Sequence, residues 1–154
     1  MRFWSQRAAP IRLGLCSRIM TDMPAPVLVS AFNGRVFGLD VETGATLWEQ
    51  EIPSNGNGAI ALQVTATAVY AAASGTLMAF RYPTGEKLWS ADTADYGATL
   101  LVEGDKILVG AAAGEIACFT TTGERLWNNG FKGKGQGPVA LATPNGAVQA
   151  DSKR

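Results

Sequence analysis

From residue 27 onward, apolar residues come in runs of five or six, separated by short polar turns rich in glycine. The stretch Val27–Trp48, VLVSAFNGRVFGLDVETGATLW, sets the pattern. It returns as AVYAAASGTLMAFRYPTGEKLW over Ala68–Trp89 and as KILVGAAAGEIACFTTTGERLW over Lys106–Trp127. Each copy reads as a strand, a Gly turn, a second strand, a Thr-Gly turn and a third strand carrying Leu-Trp. Trp48, Trp89 and Trp127 stand 41 and then 38 positions apart, a spacing that indicates stacked structural repeats.

The turns follow from local chemistry. Asn33-Gly34 lies between VLVSAF and RVFGLD, and an Asn-Gly pair supplies the two positive φ angles that a type I′ hairpin needs. Gly44 permits a left-handed conformation at the next reversal. Gly75 and Thr84-Gly85 repeat Gly34 and Thr43-Gly44 at an offset of 41, and Gly114 and Thr122-Gly123 repeat them again. The third copy is one residue shorter between its two turns, a change a surface turn absorbs better than a strand. The runs VLVSAF and RVFGLD carry few charges, as in strands covered on both faces.

The second and third copies each have a further strand in front, AIALQV (59–64) and ATLLV (98–102). This gives four strands per unit, the signature of a β-propeller blade. The expected fold is therefore all-β, with about three blades of four antiparallel strands. The blades fall at about 27–58, 59–97 and 98–137, a fourth begins over 138–150, and 151–154 is a polar tail. PVALAT (138–143) is the opening strand of that fourth unit, and NNGFKGKGQGP before it reads as a flexible basic linker.

Composition narrows the function. Formal net charge is zero, which argues against nucleic-acid binding, where basic excess supplies most of the affinity. Residues 1–26 do not fit the repeat and carry four Arg before any acid. Arg7 and Arg12 interrupt every candidate secretory h-region, and Leu15 replaces the small residue a lipoprotein cleavage site needs before Cys16. An organellar leader, or an extension upstream of Met20 or Met23, fits this segment. No stretch is apolar enough to span a membrane as a helix. The chain has no histidine, which removes the commonest metal ligand and general base. Two cysteines make no disulfide framework, and Cys118 reads as a small buried thiol.

The motif positions carry a family resemblance. Gly34, Leu39, Asp40, Thr43, Gly44 and Trp48 match the PQQ-like (quinoprotein-type) propeller repeat, a strand followed by a Gly turn and ending in Thr-Gly-x-x-x-Trp. The second copy matches at Gly75, Ala79, Phe80, Thr84, Gly85 and Trp89. The third matches at Gly114, Ala117 or Cys118, Phe119, Thr122, Gly123 and Trp127. The resemblance implies that each tryptophan docks between neighbouring blades, so these are structural positions. Each indole is worth several kcal/mol when buried, and its N–H needs a partner.

Quinoprotein dehydrogenases of this kind hold pyrroloquinoline quinone and calcium beside an adjacent Cys-Cys pair, which this sequence lacks. The acids Glu42, Glu51, Glu86, Asp92, Asp95, Glu103, Asp105 and Glu124 fall mainly in turns, without the six to eight converging oxygens calcium needs. No catalytic, cofactor-binding or metal-binding residue is assigned. The resemblance to outer-membrane assembly lipoproteins instead implies a scaffold that meets protein partners through its blade-end loops, 54–58, 93–97 and 128–137. The alternatives are part of a quinone-dependent dehydrogenase, or the propeller of a larger acyl-adenylating enzyme. Three blades do not close a ring, so either a longer chain supplies the rest or two copies complete a six-bladed ring.

Overall fold

A computed structural model of the chain describes residues 26–53, 60–93, 99–111, 114–135, 137 and 139–148. The expected leader, the loop at 54–58 and most of that at 93–97 lie outside them. The described residues form thirteen strands and no helix. Strands β1 (Val27–Phe32), β2 (Arg35–Asp40) and β3 (Thr46–Glu51) make a three-stranded antiparallel sheet. A four-stranded sheet follows, made of β4 (Ala61–Val64), β5 (Ala68–Ala73), β6 (Thr76–Arg81) and β7 (Lys87–Asp92). Another is made of β8 (Thr99–Glu103), β9 (Lys106–Gly110), β10 (Ile116–Thr120) and β11 (Arg125–Asn129). Finally β12 (Leu141–Thr143) and β13 (Gly146–Val148) form a hairpin.

Each sheet is a meander whose strands pair only with their neighbours in sequence. The first hairpin turns on Asn33 and Gly34 at φ 54° and 75°, as Asn-Gly dictates. Ser74 and Gly75 take the same handedness, at 46° and 87°, although serine gives no such sequence signal.

The core lies between sheets. In β5 all six residues are buried, because alternate side chains serve two interfaces. Val69, Ala71 and Ala73, with Met78 and Phe80 of β6, pack against Val36 and Ile52 of the first sheet. Ala68, Tyr70 and Ala72, with Leu77 and Ala79, pack against Leu100, Ile107, Val109, Ala117 and Phe119 of the third. A central blade thus has no polar face, which is why its strand reads as an unbroken apolar run. Small residues in AVYAAA let the neighbouring sheet approach, while Phe80 and Phe119 fill the remaining volume. Tyr82 reaches back from the second sheet, its hydroxyl accepting from Val27 N at 2.8 Å.

The first sheet departs from expectation. Its strands are covered on one face only: Leu28 is 51% and Phe32 63% exposed. Both belong to the face turned away from the second sheet, where no described blade lies.

The terminal hairpin packs on the third sheet. Thr99 Oγ1 donates to Val139 O at 2.8 Å and Asn145 Nδ2 to Glu103 Oε2 at 2.8 Å. Hydrogen bonds from Thr143 and Asn145 hold the Glu103 carboxyl below its ordinary pKa. Within the strand expected over 138–143, Leu141–Thr143 forms β12, and ahead of it the Val139 carbonyl accepts from Thr99 Oγ1. The expected flexible linker also differs at its start. Asn128 and Asn129 continue β11, and Asn129 Oδ1 accepts from Phe131 N at 2.9 Å to hold a turn.

Cys118 is fully buried on β10, and burial pushes its thiol pKa up. The unfolded chain therefore gives up this proton more readily than the folded one, and stability falls as pH rises above about 8.5. Urea midpoints should decline through that range and flatten in Cys118→Ala. In a Cys16→Ser background, alkylation of Cys118 should proceed only as fast as the protein unfolds.

Candidate functional site

The repeat motif places its recurring residues at two opposite ends of each blade. Gly34, Gly75 and Gly114, at φ 75°, 87° and 100°, lie at the end where chain passes from one blade to the next. Ile52 N donates to Gly34 O at 2.9 Å and Thr93 N to Gly75 O at 2.7 Å. The Thr-Gly turns close the other end. Gly44 N donates to Asp40 O and Gly85 N to Arg81 O, both at 2.7 Å. In the shorter third turn Gly123 N reaches back only to Thr120 O, at 3.0 Å. Thr43 Oγ1 accepts from Ala45 N at 3.2 Å, and Thr122 Oγ1 pairs with Thr120 Oγ1 at 2.8 Å. Thr84 sits exposed at the equivalent place.

The tryptophans join these turns across blades. Trp48 lies over Gly85 of the next blade, where a Cβ would collide with its indole, and its Nε1 donates to Pro83 O at 2.8 Å. Trp89 lies over Gly123, with indole carbons 2.9 Å from where a Cβ would stand, and donates to Thr121 O at 2.9 Å. The rings also meet aromatic partners within the core, Phe80 at 6.4 Å from Trp48 and Tyr70 at 6.2 Å from Trp89. Gln50 Nε2 adds a bond to Gly85 O at 2.8 Å.

A feature absent from the sequence reading recurs beside each tryptophan. Register shifts by one residue at Gly38/Leu39, Ala79/Phe80 and Cys118/Phe119, opposite the Leu-Trp pair. Such a bulge re-aims side chains. It leaves Leu47, Leu88 and Leu126 exposed, while Trp48 and Trp89 lie in the blade interfaces. Gly38 is also part of this arrangement: a Cβ there would meet the Trp48 ring. Glycine inside an otherwise bulky strand was the available signal.

The match of ring to turn fails at both ends of the described structure. Among the described residues nothing stands within 4 Å of a Cβ built on Gly44, and Trp127 is 46% exposed with no acceptor for its Nε1. Two surfaces remain as candidate contact sites. One is an open groove of about 550 Å³ between the first two blades, lined by Asn33, Arg35, Glu51, Pro53, Thr76 and Lys87 among others. Arg35 there pairs with Glu49, which raises its pKa. The other is the turn after β11, where exposed Phe131 sits at φ 48° beside Lys132 and Lys134, closed by Lys134 N donating to Phe131 O at 3.0 Å.

The acids do not gather. Glu42, Glu51, Glu86, Asp92, Asp105 and Glu124 are exposed, and Asp95 lies outside the described residues. Among the described residues no three His, Cys, Asp or Glu side chains are placed to share a metal ion, and no helix is long and apolar enough to cross a membrane.

A family model described as outer membrane protein assembly factor BamB matches residues 73–152, just over half of the chain. The chain belongs to this family of PQQ-like propellers. No curated protein matches it in sequence. Among solved structures, BamB from Moraxella catarrhalis superposes with a TM-score of 0.60 at 23% identity, over 77% of this chain and 38% of that one. The computationally designed Ika8 protein gives 0.65 at 22%, over 83% and 41%. A europium-containing methanol dehydrogenase gives 0.56 at 21%, over 69% and 23%. At these identities the likeness shows the fold, and the chain spans well under half the length of each.

Two comparisons of variants measure the ring-on-glycine contact. Gly85→Ala should cost at least about 1 kcal/mol more than Gly104→Ala, because both have positive φ but only Gly85 carries a ring that overpacking displaces. Trp89→Ala should cost about 3 kcal/mol, and Trp127→Ala about 1 kcal/mol or less. Urea unfolding at low protein concentration reads both.

Proposed function

We propose that this chain is a non-catalytic propeller scaffold that binds a protein partner through its blade-end loops. One observation carries the reading. The motif residues that suggest a cofactor by family resemblance, the Thr-Gly turns and tryptophans, are engaged in blade-to-blade packing at two successive interfaces. Accessible chemistry lies instead at the loop ends, where rigid strands hold variable turns in place.

Of these, the turn at 129–134 is the best-defined contact surface. It offers an exposed apolar ring, Phe131, followed by Lys132 and Lys134 in the same turn, on a backbone pinned by Asn129. An aromatic anchor within a polar rim is the usual composition of a protein contact, and the two lysines suit an acidic partner. The family's membership, with an assembly factor as its named type, supports the same reading.

Affinity capture from native lysate, with Phe131→Ala and Lys132→Glu/Lys134→Glu as controls, tests it. A specific protein should be retained by the wild type and lost from both variants. Dye-linked dehydrogenase activity on addition of pyrroloquinoline quinone and calcium would overturn it.

A further inference from the structure

Within the chain one interface is made twice. A blade presents an indole at its outer edge, and the next presents a Thr-Gly turn whose glycine takes the ring and whose carbonyl takes the N–H. The accepting carbonyl stands two residues before the glycine in both cases, Pro83 before Gly85 and Thr121 before Gly123.

The unused halves of that interface are complementary. Among the described residues Trp127 is an indole without a turn, and Gly44 at φ 78° is a turn without an indole. Two residues before Gly44, the Glu42 carbonyl accepts from no described donor. The face around it completes the comparison. Leu28 and Phe32, 51% and 63% exposed, occupy the positions of Val69 and Ala73 in the second blade, which are 0% and 1% exposed. Phe37 on β2, stacked on Phe32 at 5.2 Å between ring centres, corresponds to buried Met78. The first blade therefore carries the apolar face that its neighbour buries, together with the socket.

We propose that a second copy of this chain supplies the missing half. Trp127 of one copy seats over Gly44 of the other, with its N–H on the Glu42 carbonyl, continuing the interface the chain already makes. Applied reciprocally, the contact closes two copies into one six-bladed ring, a two-fold association. It also settles a mismatch of strands. The first blade has strands β1 to β3 and, among the described residues, no leading strand inside β1, whereas β12 lies beside β8 with only the three-residue β13 as partner. In the ring, six-residue β1 of the second copy takes the place of β13 next to β12, giving a four-stranded blade. A three-residue hairpin is a weak competitor for that edge.

The test separates socket from knob. Sedimentation of the wild-type chain, 16.2 kDa, should give a species of twice that mass at about 100 µM. Trp127→Ala removes the knob. Gly44→Asn fills the socket while keeping a residue that tolerates positive φ. Trp127 is half exposed and a Cβ at Gly44 meets nothing within 4 Å among the described residues, so both variants should retain the wild-type circular dichroism. Each should weaken association at least tenfold. Mixed in equal amounts they should regain part of it, because the mixed pair restores one native junction of the two. A wild-type monomer, an open-ended polymer, or association unchanged in either variant overturns the proposal. So does the absence of gain on mixing. None of these outcomes depends on the lysate partner.

Discussion

The structure depends on a ring set over a glycine in the neighbouring sheet. An indole can lie flat on a turn only where the turn has no Cβ, and the turn can reverse in so few residues only if that position takes positive φ. Glycine meets both demands at once. At Gly85 and Gly123 the same atom that would strain the backbone would also strike the ring. The indole N–H then finds its acceptor two residues upstream in the same turn. Packing, backbone conformation and hydrogen bonding are fixed together, so blades dock in one register.

That coupling makes the chain nearly one-dimensional. Each blade touches only its neighbours, and stability is approximately a sum of blade and interface terms. The second blade, flanked on both sides, has the fully buried strand β5. The first has one buried face, and the third is covered by its predecessor and by a short hairpin tied through Thr99, Glu103 and Asn145. Burial thus falls from the centre to both ends although the Gly, Thr-Gly and Leu-Trp positions recur in all three copies. Trp48, Trp89 and Trp127 stand at the same motif position, yet among the described residues only the first two have an acceptor, because the difference lies in the neighbour.

This explains which parts of the fold were legible. The period, the strand runs and the Asn-Gly turn follow from local composition, and the structure reproduces them in β1 to β11. The Leu-Trp pair was visible as a pattern, but its meaning was not: the leucine is the extra residue of a bulge and faces water, while Trp48 and Trp89 enter the blade interfaces. A bulge depends on pairing with a strand elsewhere in the chain, which periodicity along one segment does not encode. Positive φ at Ser74 was equally hidden, since the blade imposes it rather than the residue. The candidate site was less legible still. The turn at 129–134 looked like a glycine-rich linker, and the cap from Asn129 that shapes it is a single side-chain bond.

The end faces bear on what the chain does. Repeat proteins that stand alone carry terminal units with a polar outer face. Here the first blade instead presents Leu28, Phe32 and Phe37, with the Arg35–Glu49 pair toward the β3 side of the same sheet. An apolar centre bounded by charge is how interfaces are composed, whereas an aggregation-resistant edge is charged throughout. The Thr-Gly turn beside it has the same positive φ at Gly44 as the two turns that carry rings, and among the described residues nothing stands within 4 Å of a Cβ built there. The first blade carries at Leu28, Phe32 and Phe37 the apolar side chains that its neighbour buries at Val69, Ala73 and Met78, so this face is composed for burial rather than for solvent.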